Sequence, residues 1–189
     1  MIKFSVYTNE QIIETAQYVV DKLSDTDIIL LKTEIENRKL NPHLLEAIDI
    51  QRNGQSVFDF FENVRFLLNL PCPHCGKKDT PINITRKAQV VSFLIFTGYD
   101  KLLTAGCPDC IKKDLDKASR YTRIMGWWGV AGPVRSLQAL EYNKIRAEEL
   151  DKNEPTTDFM KFAYANRGFI IANIENEAEL SSLIQTINA

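Results

Sequence analysis

The chain has 189 residues, 44% of them hydrophobic and 25% charged, which is long enough and apolar enough to bury one real core. A formal net charge of −2 excludes the broad cationic field on which non-specific nucleic-acid binding draws. The longest apolar candidates, 90–96 and 124–134, fall far short of the roughly 20 residues that span a bilayer. The opening MIKFSVYTNEQ has no apolar run behind its single lysine, so a cytoplasmic protein without a transmembrane segment is expected.

The first half reads as helical. Thr8 and Gln11 form a capping-box pattern ahead of Ile12, Ala16, Val19 and Leu23, which predicts a first helix over 9–23. Ser24 with Asp27 repeats the start signal, and Ile28, Leu31 and Ile35 share one face of a second helix that reaches Arg38. Asn41-Pro42 opens a third helix that Gly54 stops, and Ser56 opens a fourth, with Phe61, Val64 and Leu68, that Pro71 ends.

The period then changes. Ile82 and Ile84 alternate with polar residues, and 90–96 is rich in branched and aromatic side chains, so two strands are expected here and a third near Leu102 and Leu103. Helical spacing resumes with Ile111, Leu115, Ala118, Thr122 and Met125. A glycine-punctuated turn, GWWGVAGP, follows, and Pro133 begins another helix with Val134, Leu137 and Leu140. Asp151–Pro155 reads as a surface connection, and two last helices, 157–167 and 176–187, are split by Gly168 and the apolar piece 169–171. The fold class is α+β: predominantly helical, with a small antiparallel β lobe, 71–111, inserted between helical regions 1–70 and 112–189, all in one compact unit.

The only four cysteines fall in two Cys-x-x-Cys turns, Cys72/Cys75 in CPHC and Cys107/Cys110 in CPDC. Each such turn offers two thiolates from one tight loop, and tetrahedral zinc takes four soft ligands, so the pattern points to one structural Zn²⁺ held by Cys72, Cys75, Cys107 and Cys110. The 31 residues from Gly76 to Gly106 are enough chain for strands that carry the second turn back to the first. Two disulfides would need an oxidising compartment, and paired proline-containing turns look less like a thioredoxin-type redox motif than like ligand turns. An iron centre with four thiolates remains the alternative to zinc. With all four ligands from cysteine, zinc has no open position for an activated water. His74 lies inside the first turn and reads as a knuckle residue facing solvent, and His43 as a surface residue, so no Cys-His or Ser-His pair is expected.

Trp127 and Trp128, bracketed by glycines, imply a turn in which backbone approaches something closely. Two readings stand beside each other: core packing against the helix from Pro133, or a docking surface. Taken in order, CPHCG, CPDCIKK, GWWGVAGPVRSLQAL and NEPTTDFMKFAYANRG resemble a group of bacterial, Bacteroidetes-type, zinc-ribbon-like proteins, over roughly residues 70 to 170. The resemblance implies a zinc-ribbon-like lobe packed on helices and brings no catalytic residues.

No glycine-rich phosphate loop, HExxH or nucleophile elbow occurs, so the expectation is not an enzyme but a zinc-stabilised interaction module whose partner is another protein. Two alternatives are carried with it. One is a nucleic-acid-binding ribbon using Arg86, Lys87, Lys101, Lys112 and Lys113 with Phe93 or Tyr99 for stacking. The other is peripheral association with a membrane surface through GWWG.

Overall fold

A computed structural model describes residues 2–53 and 57–188. Among them are α1 (Asn9–Tyr18), α2 (Asp25–Asn37), α3 (His43–Asn53), α4 (Val57–Leu68), β1 (Asn83–Leu94), β2 (Phe96–Gly106), α5 (Pro108–Met125), β3 (Trp128–Gly129), α6 (Gly132–Leu150), α7 (Thr157–Ala165), α8 (Arg167–Ala172) and α9 (Glu177–Gln185). The chain is α+β and mostly helical. It divides into two compact units, one running to Phe66 and resuming over Lys161–Leu180, the other made of Leu67–Met160 and the segment from Ser181.

In the first unit the capping signals form as the residues dictate. Thr8 N–H donates to Gln11 Oε1 at 2.9 Å while Gln11 N–H donates to Thr8 Oγ1 at 3.3 Å, and Asp27 N–H donates to Ser24 Oγ at 3.2 Å. The first helix stops at Tyr18, short of Leu23, and tightens into a single 3₁₀ turn over Val20–Lys22, where two consecutive β-branched residues crowd the turn. The expected stop at Gly54 and start at Ser56 lie outside the described residues. Ile12, Leu31, Ile35, Leu44 and Ile48 are fully buried. The piece 169–171, expected to interrupt two helices, is itself helical as part of α8. Gly168 is there for proximity: a Cβ on it would lie 2.2 Å from the Ala47 carbonyl oxygen of α3. Arg167, 6% exposed, bonds Asp21 at 3.0 Å and the Gln51 carbonyl at 3.0 Å, so its buried charge is paired.

The second unit is built on a long β-hairpin. The strand expected at Ile82–Ile84 and the first part of the one expected over 90–96 form one strand, β1. Ile95 is in the hairpin turn and Phe96 opens β2, which includes the strand expected near Leu102 and pairs antiparallel with β1 from Asn83↔Gly106 to Phe93↔Phe96. The sheet is mixed, not purely antiparallel. Its third strand comes from beyond the second cysteine pair, Trp128 and Gly129 running parallel beside Phe93 and Leu94. Helices α5 and α6 pack on β1, burying Ala88, Val90 and Ala139 with Tyr99 and Tyr142 around them.

Where β3 does not reach, side chains occupy the strand edge. Asn143 accepts from Ala88 N–H at 2.7 Å and donates to its carbonyl at 2.8 Å, and Thr122 Oγ1 accepts from Val90 N–H at 3.0 Å. Asn188 does the same for β2, bonding the N–H and carbonyl of Ala105 at 2.9 and 3.0 Å. The connection before α7 is tied down: Asn83 donates to the Glu154 carbonyl at 2.8 Å and accepts from Thr156 N–H at 3.1 Å.

Candidate metal centre

The hairpin register decides where the cysteines meet. Gly106, the last residue of β2, stands opposite Asn83, so Cys107 is delivered beside the loop that precedes β1 and holds Cys72 and Cys75. In that loop Gly76 N–H donates to the Cys72 carbonyl at 2.8 Å and Cys72 N–H to the Lys77 carbonyl at 2.9 Å. The turn closes through Gly76 at φ +72°, a left-handed position that favours glycine. The second pair sits on a helix start. Cys107 is the N-cap of α5, Pro108 occupies the first turn, and Cys110 N–H donates to the Cys107 carbonyl at 3.0 Å. Thiolates here face the positive end of the helix dipole.

All four Sγ atoms lie within 4.8 Å of one another. Cys75 Sγ and Cys107 Sγ are 3.8 Å apart, and the edge of a tetrahedron with metal–sulfur bonds of about 2.3 Å is about 3.8 Å. None of the four is in a disulfide. Cys72 and Cys107 are buried, Cys110 is half-buried and Cys75 is exposed. The donor set therefore fits a single four-coordinate soft metal ion. The disulfide reading does not describe this arrangement.

The surroundings hold one thiol below its ordinary value and push two others above it. Burial pushes the Cys72 thiol up, but N–H donors from Cys107 (3.2 Å to Sγ), Cys75 and His74 outweigh it and hold the group at about 7. Cys107 is shifted up by burial, with the sulfur of Cys72 adding to the rise. Cys110 is raised by burial and then by the sulfurs of Cys107, Cys75 and Cys72. Four thiolates this close repel one another, and a divalent cation is what relieves that repulsion.

Around the sulfurs the sequence reading missed two supporting residues, Gly106 and Asp114. Gly106 lets the first turn close over the strand end, since a Cβ there would lie 2.9 Å from His74 Cδ2 and 3.5 Å from Cys72 Sγ. His74 is exposed, as expected, with its Nε2 3.6 Å from Asp114. Asp114 also accepts from Thr104 Oγ1 at 2.8 Å and sits 3.6 Å from Lys87 Nζ. Asp114 lies four residues after Cys110 on the same helix, and that spacing was the available signal. His43 is at the surface, 3.7 Å from Glu46.

Four of the five basic residues considered for nucleic acid have partners within the chain, and Lys113 is exposed. Lys87 faces Asp114, Lys112 bonds Asp151, Arg86 lies 3.4 Å from Asp158, and Lys101 Nζ stands 4.2 Å over the Tyr142 ring. Tyr99 packs against the Ala88 and Val90 core.

At the opposite end of the hairpin, both tryptophans stand at the surface, Trp128 69% and Trp127 39% exposed, so the core between the lobe and α6 is made by other residues. The glycines around them explain why. A Cβ on Gly129 would lie 2.2 Å from Ser92 Oγ, on Gly132 2.4 Å from the Gly126 carbonyl, and on Gly126 2.1 Å from Ser136 Oγ. The backbone of the turn lies tight on β1 and α6, and its side chains point away. Trp128 Nε1–H donates to the Ile124 carbonyl at 2.7 Å, which sets that ring's direction. No helix among the described residues is long and apolar enough to cross a membrane.

Compared with models of known protein families, with curated proteins and with solved structures, the chain matches none.

Proposed function

We propose that Cys72, Cys75, Cys107 and Cys110 hold one structural Zn²⁺, and that the chain is a cytoplasmic, zinc-stabilised interaction module and not an enzyme. The observation that carries this is the closed set of four sulfurs within 4.8 Å, with a 3.8 Å edge that matches tetrahedral zinc–thiolate geometry. Bound there, zinc would cross-link two segments 31 residues apart and give residues 71–111 a zinc-ribbon-like form. Four sulfur ligands leave no position for a metal-bound water, which is why the ion is read as structural. Free thiols, one of them exposed, suit a reducing compartment. The product of such a module is a surface. The exposure of Trp127 and Trp128 beside close-packed glycines supports putting that surface at the GWWG turn.

Metal analysis of the purified chain tests the reading. One zinc per chain is expected, with a colourless protein and metal content lost in Cys75→Ser and Cys107→Ser. Iron with visible absorption would replace zinc by the alternative centre, and wild-type metal content and stability in both variants would overturn the site altogether.

A further inference from the structure

The turn of the hairpin is unlike an ordinary solvent-facing turn. Phe93 pairs with Phe96, leaving Leu94 and Ile95 as a two-residue connection. Such connections favour Asn-Gly or Asp-Gly, because the first residue takes positive φ and the turn faces water. Here Leu94 takes φ +51°, and Ile95 is 97% exposed. Phe93, Leu94 and Phe96 are also mostly exposed. Strand β3 lies alongside, with Trp128 beside Phe93 and Val130 N–H donating to the Leu94 carbonyl at 3.1 Å, so Trp128 and the exposed Val130 extend the same apolar tip. A contiguous projection of this size has no role in water for a monomer.

Charge says what covers it. The chain as a whole carries −2, yet 88–99 contains no charged residue, and 117–140 contains Lys117, Arg120, Arg123 and Arg135 with no acidic residue. Arg120 shares Asp116 on its own helix, while Arg123 and Arg135 are exposed in the helical turns that flank the tryptophan segment. Apolar side chains at a tip, tryptophans beside them and arginines behind is the order in which side chains meet acyl chains, interface and phosphate headgroups. We propose that this tip inserts into the surface of an anionic phospholipid bilayer, the hairpin turn entering the acyl boundary and Arg123 and Arg135 meeting the headgroups. The proposal rests on the reading of the chain as an interaction module and gives that module its partner.

The only two tryptophans both stand at the tip, so intrinsic fluorescence reports on it alone. The metal-loaded full chain is mixed with vesicles of phosphatidylglycerol and phosphatidylcholine, with vesicles of phosphatidylcholine alone, and with anionic vesicles carrying brominated acyl chains. The expected result is a blue shift on anionic vesicles, quenching by the brominated chains and weaker binding to phosphatidylcholine. Ile95→Asp should weaken binding about tenfold or more. Arg123→Gln and Arg135→Gln should each weaken it about fivefold, with metal content and unfolding temperature unchanged.

Several results overturn the proposal: no shift with any vesicle, a shift without bromine quenching, or full binding by Ile95→Asp. Concentration-dependent self-association that Ile95→Asp abolishes, without vesicle binding, would assign the tip to a second copy of the chain. Metal content, measured on the same samples, separates the two readings. A metal-loaded chain that ignores vesicles removes the bilayer and leaves the zinc site, whereas a metal-free chain that inserts removes the zinc site and leaves the bilayer.

Discussion

The two ends of one hairpin are built on opposite terms. At the Asn83–Gly106 end, two segments distant in sequence converge, polar side chains line up around the sulfurs, and burial is compensated by N–H donors to Cys72. At the Phe93–Phe96 end, roughly 33 Å away by strand rise, the chain turns on two apolar residues and leaves its largest side chains exposed. The cysteine end gathers four sulfurs that a bound ion could tie together. The apolar end is packed by glycine-mediated backbone contacts and leaves its apolar side chains uncovered. One strand pair thus separates the four-sulfur site, which we propose stabilises, from the apolar tip, which we propose docks.

That contrast sets the order of expected effects. The largest belongs to the sulfurs: Cys75→Ser or Cys107→Ser should lose most of a stabilisation of roughly 10 kcal/mol, read by metal analysis and thermal unfolding. Acid should act in the same direction, because the ligands bind as thiolates and protons compete for them. Competition with a chelator should therefore extract the metal far more readily at acidic pH than near neutrality, and equal extraction at both would count against thiolate ligation.

Next comes the middle of the strand. Asn143→Ala leaves the buried Ala88 N–H and carbonyl without their partners and should cost roughly 3 kcal/mol in denaturant unfolding without lowering metal content. Gly129→Ala pushes a methyl against Ser92 Oγ and the Leu94 carbonyl. A loss of about 2 kcal/mol is expected, together with a changed tryptophan emission, since the frame that aims the rings has moved.

The smallest effect on stability is expected at the tip itself. Trp128→Ser removes an exposed ring and should change unfolding by no more than about 0.5 kcal/mol. If it destabilises as much as Asn143→Ala, the tip is structural and the contrast between the two ends is wrong.

The cysteine end was largely legible in the sequence because metal ligation is a matter of residue type and short spacing. Two Cys-x-x-Cys turns announce paired thiolates whatever lies between them, and the capping signals at Thr8 and Ser24 are equally local. Element identity was less legible where tertiary packing decided it: Gly168 looks like a breaker but is a point of close approach to Ala47, and 169–171 is helical because that approach allows it. The third strand came from GWWG, a segment with no strand pattern, because β1 presents a free edge beside it.

By itself the sequence determined the two pairs of cysteines, the α+β composition and the helix starts capped by Thr8 and Ser24, since each depends on residues within a few positions of one another. Only the tertiary structure decided that the four sulfurs lie within 4.8 Å of one another. It also showed that the glycines of GWWGVAG face inward while the tryptophans face out, and that 93–96 is a bare apolar turn and not the middle of a buried strand. The physical reason is that strand register and backbone proximity join residues tens of positions apart, and no local spacing records which of two faces the remaining chain will cover.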